Sequence, residues 1–192
     1  MSESTVQTRP YTVLVLCTGN SARSIMGEAL FNAEGAPVFR ALSAGSQPVG
    51  RVNPFALRQL SAAGESVGDM TKNYRSKSWS EFTGEGAPTI DFVITVCDNA
   101  AGESCPLFPG PATRIHWGLP DPAAVKGSDA EIAAAFASVY ATLQERVVAL
   151  REFALTLPDR EHLVERMHTL GTLPQITITT GASPCRFHDD NC

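Results

Sequence analysis

The chain contains no apolar run long enough to span a membrane. Its opening residues, MSESTVQTRP, are polar and acidic where a secretory leader would be basic and then apolar. Positive charge is in short supply: 15 Lys and Arg stand against 20 Asp and Glu, a net −5 at pH 7. That balance excludes a broad nucleic-acid surface and leaves room only for a local basic pocket. There is no internal repeat, no low-complexity block and no G-x-x-x-x-G-K-[ST], so a Walker-type phosphate loop is excluded. The expected address is cytoplasmic, with no membrane or nucleic-acid partner. The five cysteines, at positions 17, 97, 105, 185 and 192, are odd in number. In a reducing compartment structural disulfides are rare, so these thiols gain weight as reactive or metal-binding groups.

What is present reads as one soluble domain with a sizeable core: 192 residues, 43% hydrophobic and 18% charged. Val- and Leu-rich runs at 11–16, 38–45, 90–97 and 112–117 predict strands. Helices are predicted between and after them. One covers 21–35 and stops at Gly35. Another covers 53–64, with Asn at its cap, Pro in its first turn and Gly at its end. A long amphipathic helix covers 128–156, opened by the capping box Ser128-x-x-Glu131, and a shorter one 158–170. Residues 71–88 look irregular with a single helical turn, and Gly171–Cys192 looks like a tail. Strands alternating with helices predict an α/β fold, a three-layer arrangement around a mainly parallel four-stranded sheet with helices on both faces. The expected organisation is a mobile arm at 1–10, a domain at 11–156, and a C-terminal helix with a flexible cysteine-containing tail at 157–192.

The chemistry concentrates where the first strand ends. VLVLCTGNSARS (13–24) places Cys17 at the carboxyl end of that strand, where open α/β sheets bind ligands. Gly19 and its small neighbours let the backbone curl. The amides of Thr18, Gly19, Asn20, Ser21, Ala22, Arg23 and Ser24 can then line one anion-binding concavity, with the next helix N-terminus behind it. The planar Arg23 guanidinium suits a tetrahedral oxyanion. A positive field of this kind lowers a thiol pKa, and the Ser24 hydroxyl would stabilise the thiolate further. The bland alternative is a small buried hydrophobe at a strand end.

The C-x5-R-S spacing between a first strand and a first helix resembles the low-molecular-weight protein tyrosine phosphatase family, over roughly residues 11–155. One branch of that family hydrolyses phosphate esters and the other reduces arsenate. The segment TVCDNAAGESCPLFPGPATRIHWGLPDPA (95–123) resembles the arsenate-reducing branch. The resemblance implies Cys17 as nucleophile toward arsenate, with phosphate or sulfate as mimics, and Cys97 and Cys105 as a relay pair joined by a short polar loop. It implies Asp121 of the Asp-Pro pair as general acid. It implies no bound cofactor, but an external thiol reductant: thioredoxin, or glutathione with glutaredoxin. The seven-residue Cys97–Cys105 linker is slightly longer than is usual in thioredoxin-coupled members, which leaves the reductant open. Cys-x7-Cys is not a zinc-knuckle spacing, and no metal is assigned. A looser likeness would put a monovalent cation at Asn20, Glu28 and Ser43. Ala123 and Ala124 stand where the tyrosine-phosphatase branch has aromatic residues that grip a phenyl ring. His116 reads as a hydrogen-bonded structural residue rather than a base. Cys185, His188 and Cys192 are donors that suit zinc or arsenite, yet a flexible end is the reading adopted. Two further readings stay open: a phosphatase of phosphotyrosine or small phosphate esters, and a non-enzymatic oxyanion or metalloid sensor.

Overall fold

A computed structural model describes residues 9–64, 74–102 and 106–180. Four strands, β1 (Tyr11–Cys17), β2 (Phe39–Gly45), β3 (Phe92–Thr95) and β4 (Thr113–His116), form one sheet in the order β2-β1-β3-β4. Every pairing is parallel, as the alternation of strands and helices predicts. β1 is central, and its alternate residues face opposite ways. Val13, Val15 and Cys17 face a large core shared with helices α1 (Arg23–Ala33), α2 (Pro54–Ala62), α4 (Asp129–Ala154) and α5 (Arg160–Thr172). Leu14 and Leu16 face a smaller core with Val93, Phe82 and Phe108. The two outer layers are therefore unequal. Among the described residues the long helices gather in the larger core. The other face is covered by the 3₁₀ turn Trp79–Phe82 and by loop residues, which suffice because only a short apolar strip needs covering there.

Local punctuation sets the helix bounds. Asn53 caps α2 through Phe55 N–H, with Pro54 in the first turn, and the Ser128–Glu131 capping box opens α4. Burial of residues such as Leu30, Phe31, Trp117 and Phe136 contributes about 1.5–3 kcal/mol each, which anchors the helices to the sheet.

Three expectations change. The linker after Cys97 does not start as a loop: Asp98–Gly102 forms a short helix, α3. Arg9, expected in a mobile arm, is pinned to the sheet, its guanidinium spanning both oxygens of buried Asp91 at 2.7 and 2.9 Å. The expected tail from Gly171 begins as the last turn of α5. Extended chain follows to residue 180, hydrogen-bonded along α4. Met167 and Leu170 pack into the main core, and Met167 O accepts from the Trp117 indole at 2.8 Å, so α5 belongs to the same core as the domain before it. Among the described residues no helix is long and apolar enough to cross a membrane.

Candidate active site

The site lies at the carboxyl rim of β1 and β3. Because Leu16 pairs with Thr95 and Val96 N–H donates to Leu16 O, the two strands end almost flush. Cys17 and Cys97 thus emerge side by side, both buried and both free thiols. Thr18 stands between them, its Oγ1 3.7 Å from Cys97 Sγ.

The loop after Cys17 is held open from outside. Thr18 O accepts from Gln47 N–H, Gly19 O from Val49 N–H and the Ser76 hydroxyl, and Ser21 O from Asn53 N–H, all at 2.8–3.0 Å. In a trans peptide the C=O and the following N–H point opposite ways. Tying these carbonyls outward therefore turns the amides of Gly19, Asn20 and Ala22 inward. One of them is already in use, since Asn20 N–H donates to Cys17 Sγ at 3.1 Å. α1 starts next at Arg23 with Ala22 at its N-cap, a residue with no side chain to cap it, so its first-turn amides complete an anion cradle. A Cβ on Gly45 would run into Thr18 O and Asn20, which is why β2 ends in glycine where it touches the cradle.

Asn20 is the pin of this loop. It is fully buried and sits at φ 44°, a left-handed conformation that asparagine tolerates. Lys77 N–H donates to its Oδ1 (2.8 Å), which fixes the amide orientation. Its Nδ2 then donates to Ser24 Oγ and Ser43 Oγ, both at 2.9 Å. Because Ser24 Oγ accepts from Asn20, its own proton is free to go to Cys17 Sγ, 2.9 Å away.

Burial nevertheless pushes the Cys17 thiol above its ordinary value, and nearby Cys97 pushes the same way. The Ser24 and Asn20 hydrogen bonds pull it back only in part. The expected depression of this thiol is corrected accordingly. The sulfur is almost wholly out of water, and the Arg23 guanidinium is shared with partners on the Asp121 loop. Its Nη1 donates to Leu119 O (2.9 Å), and its Nη2 lies 3.4 Å from Asp121 Oδ1. Asp121, half-exposed, accepts from Ala123 N–H and opens the 3₁₀ turn Pro122–Ala124. Arg23 therefore couples the cradle to the Asp121 loop.

Asn20, Glu28 and Ser43 do come together, but a side chain fills the place between them. The buried Lys77 ammonium lies 3.1 Å from Glu28 Oε2 and 3.3 Å from Ser43 Oγ. A monovalent cation at these three residues is thereby corrected to a tethered one. Lys77 was missed because nothing in YRSKSW distinguishes it from a solvated lysine; only the fold brings that segment back onto Ser43. Among the described residues no group of three His, Cys, Asp or Glu is placed to hold a metal ion. His116 is a structural residue, Nδ1 2.9 Å from Thr95 Oγ1 and Nε2 3.1 Å from Asp98 Oδ1, so it holds the first residue of α3. Cys105, Cys185, His188 and Cys192 lie outside the described residues.

A buried thiol behind a loop of inward amides, with Arg23 and an Asp-Pro turn beside it, is the arrangement this fold builds at its strand ends. The chain belongs to the low molecular weight phosphotyrosine protein phosphatase family, whose sequence profile matches residues 12–157. Its relatives include arsenate reductases. It is 33% identical to the arsenate reductase of Bacillus licheniformis over 141 residues, 73% of this chain and 95% of that protein. It resembles the arsenate reductase structure from Archaeoglobus fulgidus with a TM-score of 0.52 and 30% identity, over 73% of this chain and 98% of the other. The fold is also that of the tyrosine phosphatase Wzb from Escherichia coli K30, solved with sulphate (TM-score 0.56, 24% identity, 74% and 97% covered).

Proposed function

We propose that this protein is a cytoplasmic, thiol-dependent reductase of arsenate to arsenite. The observation that carries the reading is the second thiol. Cys97 lies beside the nucleophile, through Thr18, at the end of the neighbouring strand. Ester hydrolysis has no use for it. Arsenate reduction needs it.

In this reading the inward amides and Arg23 hold the oxyanion, and phosphate and sulfate, alike in shape and charge, compete for the same cradle. Cys17 thiolate attacks As(V), forming an S–As bond, and Asp121 gives a proton to the departing oxygen, which leaves as water. Cys97 thiolate then attacks Cys17 Sγ. A Cys17–Cys97 disulfide forms, and the S–As bonding pair stays on arsenic, which leaves as arsenite, two electrons richer. Cys105 thiolate attacks Cys97, freeing Cys17 and leaving a Cys97–Cys105 disulfide for thioredoxin or glutathione–glutaredoxin to reduce. The absence of an aromatic grip at Ala123 and Ala124 favours a small inorganic substrate over phosphotyrosine. The shared cradle still supports slow phosphate-ester hydrolysis.

The test is an arsenate-dependent NADPH-consumption assay, run separately with each thiol system and followed by peptide mapping. Cys105→Ser should complete one turnover and stall as Cys17–Cys97, and Cys97→Ser should stall earlier, at the arsenic adduct. Efficient phosphotyrosine turnover without arsenate turnover would reassign the protein to the hydrolases. Binding of arsenate with neither activity would make it a sensor.

A further inference from the structure

Arg146 is the only charged residue among the buried positions of α4, and nothing in the proposed chemistry uses it. It is 2% exposed, and its Nε and Nη1 have no hydrogen-bond partner among the described residues. Burial pulls the guanidinium below its ordinary pKa, and neighbouring Glu145 restores it only in part. A cation held in this way costs the fold stability, so stability does not account for its place. What it holds is specific. Nη2 donates to Leu173 O at 3.0 Å, and Leu173 is the C-cap of α5. The guanidinium also lies over the Trp117 ring, 6.0 Å from its centre, and the same indole stacks with Phe31 of α1 at 5.8 Å. Arg146 thereby fixes the end of α5 against Trp117.

The end of α5 in turn grips the chain that runs from β4 to Asp121. Gly171 lies flush on it: a Cβ there would run into His116 O and the Trp117 ring, which glycine avoids. Trp117 Nε1 donates to Met167 O at 2.8 Å. Gln175 Nε2, in the extended chain after α5, donates to Gly118 O at 3.4 Å. Residues 116, 117 and 118 thus all lean on the end of α5. Next, Leu119 N–H donates to Val96 O, and Leu119 O accepts from Arg23, whose Nη2 lies against Asp121. Past Asp121, the Pro122–Ala124 turn packs on α4. Asp121 is half-exposed, and its carboxylate accepts from Ala123 N–H within its own turn. The aim of that carboxyl is therefore set by the backbone that carries it.

We propose that Arg146 is a positioning residue for the reaction at Cys17: by pinning the end of α5 on Trp117 it holds residues 116–119 in place and so aims the Asp121 carboxyl at the cradle. The proposal rests on the reading of Asp121 as proton donor. Arg146 itself touches no reacting atom. A proton donor must sit within hydrogen-bond reach of the oxygen it serves, and a displacement of about 1 Å can cost about 10²-fold in rate. The cradle has its own supports in Gln47, Val49, Ser76 and Asn53, so oxyanion binding does not depend on Arg146.

The test is a double-mutant cycle on the full-length chain, read by arsenate turnover, phosphate competition and urea unfolding. Arg146→Met keeps an unbranched side chain and removes the charge. Its urea midpoint should be unchanged or higher, its phosphate affinity unchanged, and its kcat about tenfold lower. On the Asp121→Asn background the same substitution should cost nothing further, because no proton donor is left to aim. Amide hydrogen exchange at residues 117–121 should speed up in Arg146→Met, while exchange in the 18–24 loop stays as in wild type. A kcat equal to wild type, or an equal loss on both backgrounds, overturns this proposal alone. An Asp121→Asn enzyme as fast as wild type, or a wild type that turns over no arsenate, overturns the reading of the site and this proposal with it. Gln175→Ala, a change at an exposed position, should lower kcat by about two- to threefold with the same non-additivity. Where Arg146→Met fails to fold, a Gln175→Ala enzyme as fast as wild type overturns the proposal.

Discussion

Two strand ends in this molecule carry a buried cysteine, and they are built in opposite ways. The end of β1 is over-determined. Cys17 takes hydrogen bonds from Ser24 and Asn20, Asn20 is held by Lys77, and four outside donors tie the loop carbonyls. The end of β3 is held lightly. Among the described residues the Cys97 sulfur has one long hydrogen-bond contact, to Thr18, and the short helix after it is tethered by an exposed His116–Asp98 pair. A cradle that recognises a tetrahedral anion needs fixed donors, because reorganisation at the moment of reaction costs rate. A thiol that acts as the proposed relay, first reaching Cys17 and then turning outward, needs the reverse.

The comparison breaks most completely at the rigid end. Cys17→Ser should lose arsenate turnover altogether in the coupled assay, since a serine oxygen cannot accept the redox step. Asp121→Asn should lower kcat by about 10²–10⁴-fold with a smaller change in oxyanion affinity, measured by competition with phosphate. Lys77→Met leaves Glu28 buried without its cation and should destabilise the fold by about 3–5 kcal/mol in urea titration. Adding Glu28→Gln should recover most of that loss, which a merely steric effect would not allow.

Ser24→Ala removes a hydrogen bond that holds the Cys17 thiol down against burial. The reactive species is the thiolate, so its pKa rises further and the ascending limb of kcat/KM against pH moves to higher pH. On the acid side of that limb the thiolate fraction, and with it the rate, falls about tenfold for every pH unit by which the limb moves up. An unmoved limb would mean that another group controls the profile. The smallest effect belongs to the lightly held end. Asp98→Asn weakens the tether on α3 and should change stability by less than about 1 kcal/mol. It should speed Cys17–Cys97 disulfide formation in a stopped-flow arsenate mix by a few-fold. A slower step would make α3 part of the positioning machinery.

Much of this was legible from residues alone, because local rules decide it. The four strands, the Asn53 and Ser128 caps and the strand–loop–helix around Cys17 are written in runs of a few residues each. The parallel sheet follows from their alternation. The cradle residues 18–24 are contiguous, so their grouping needs no fold. Other features join residues distant in sequence. Lys77 at Glu28, Arg23 on the Asp121 loop and the chain from Leu173 to Ile178 on Ser138, Thr142 and Arg146 each require that join. Nothing in their local sequence marks them.

The sequence by itself determined which groups the proposed chemistry can draw on: a thiol at the mouth of a small-residue loop, four further thiols along the chain, and an Asp-Pro pair. Only the tertiary structure decided the state of that chemistry. Burial of Cys17 is a property of the packed core and outweighs the hydrogen bonds from its own loop, so a thiol read locally as activated sits above its ordinary pKa. The cation beside Glu28 and Ser43 is a lysine 49 residues from that carboxylate, because a buried carboxylate at Glu28 must be compensated and the fold brings Lys77 to it.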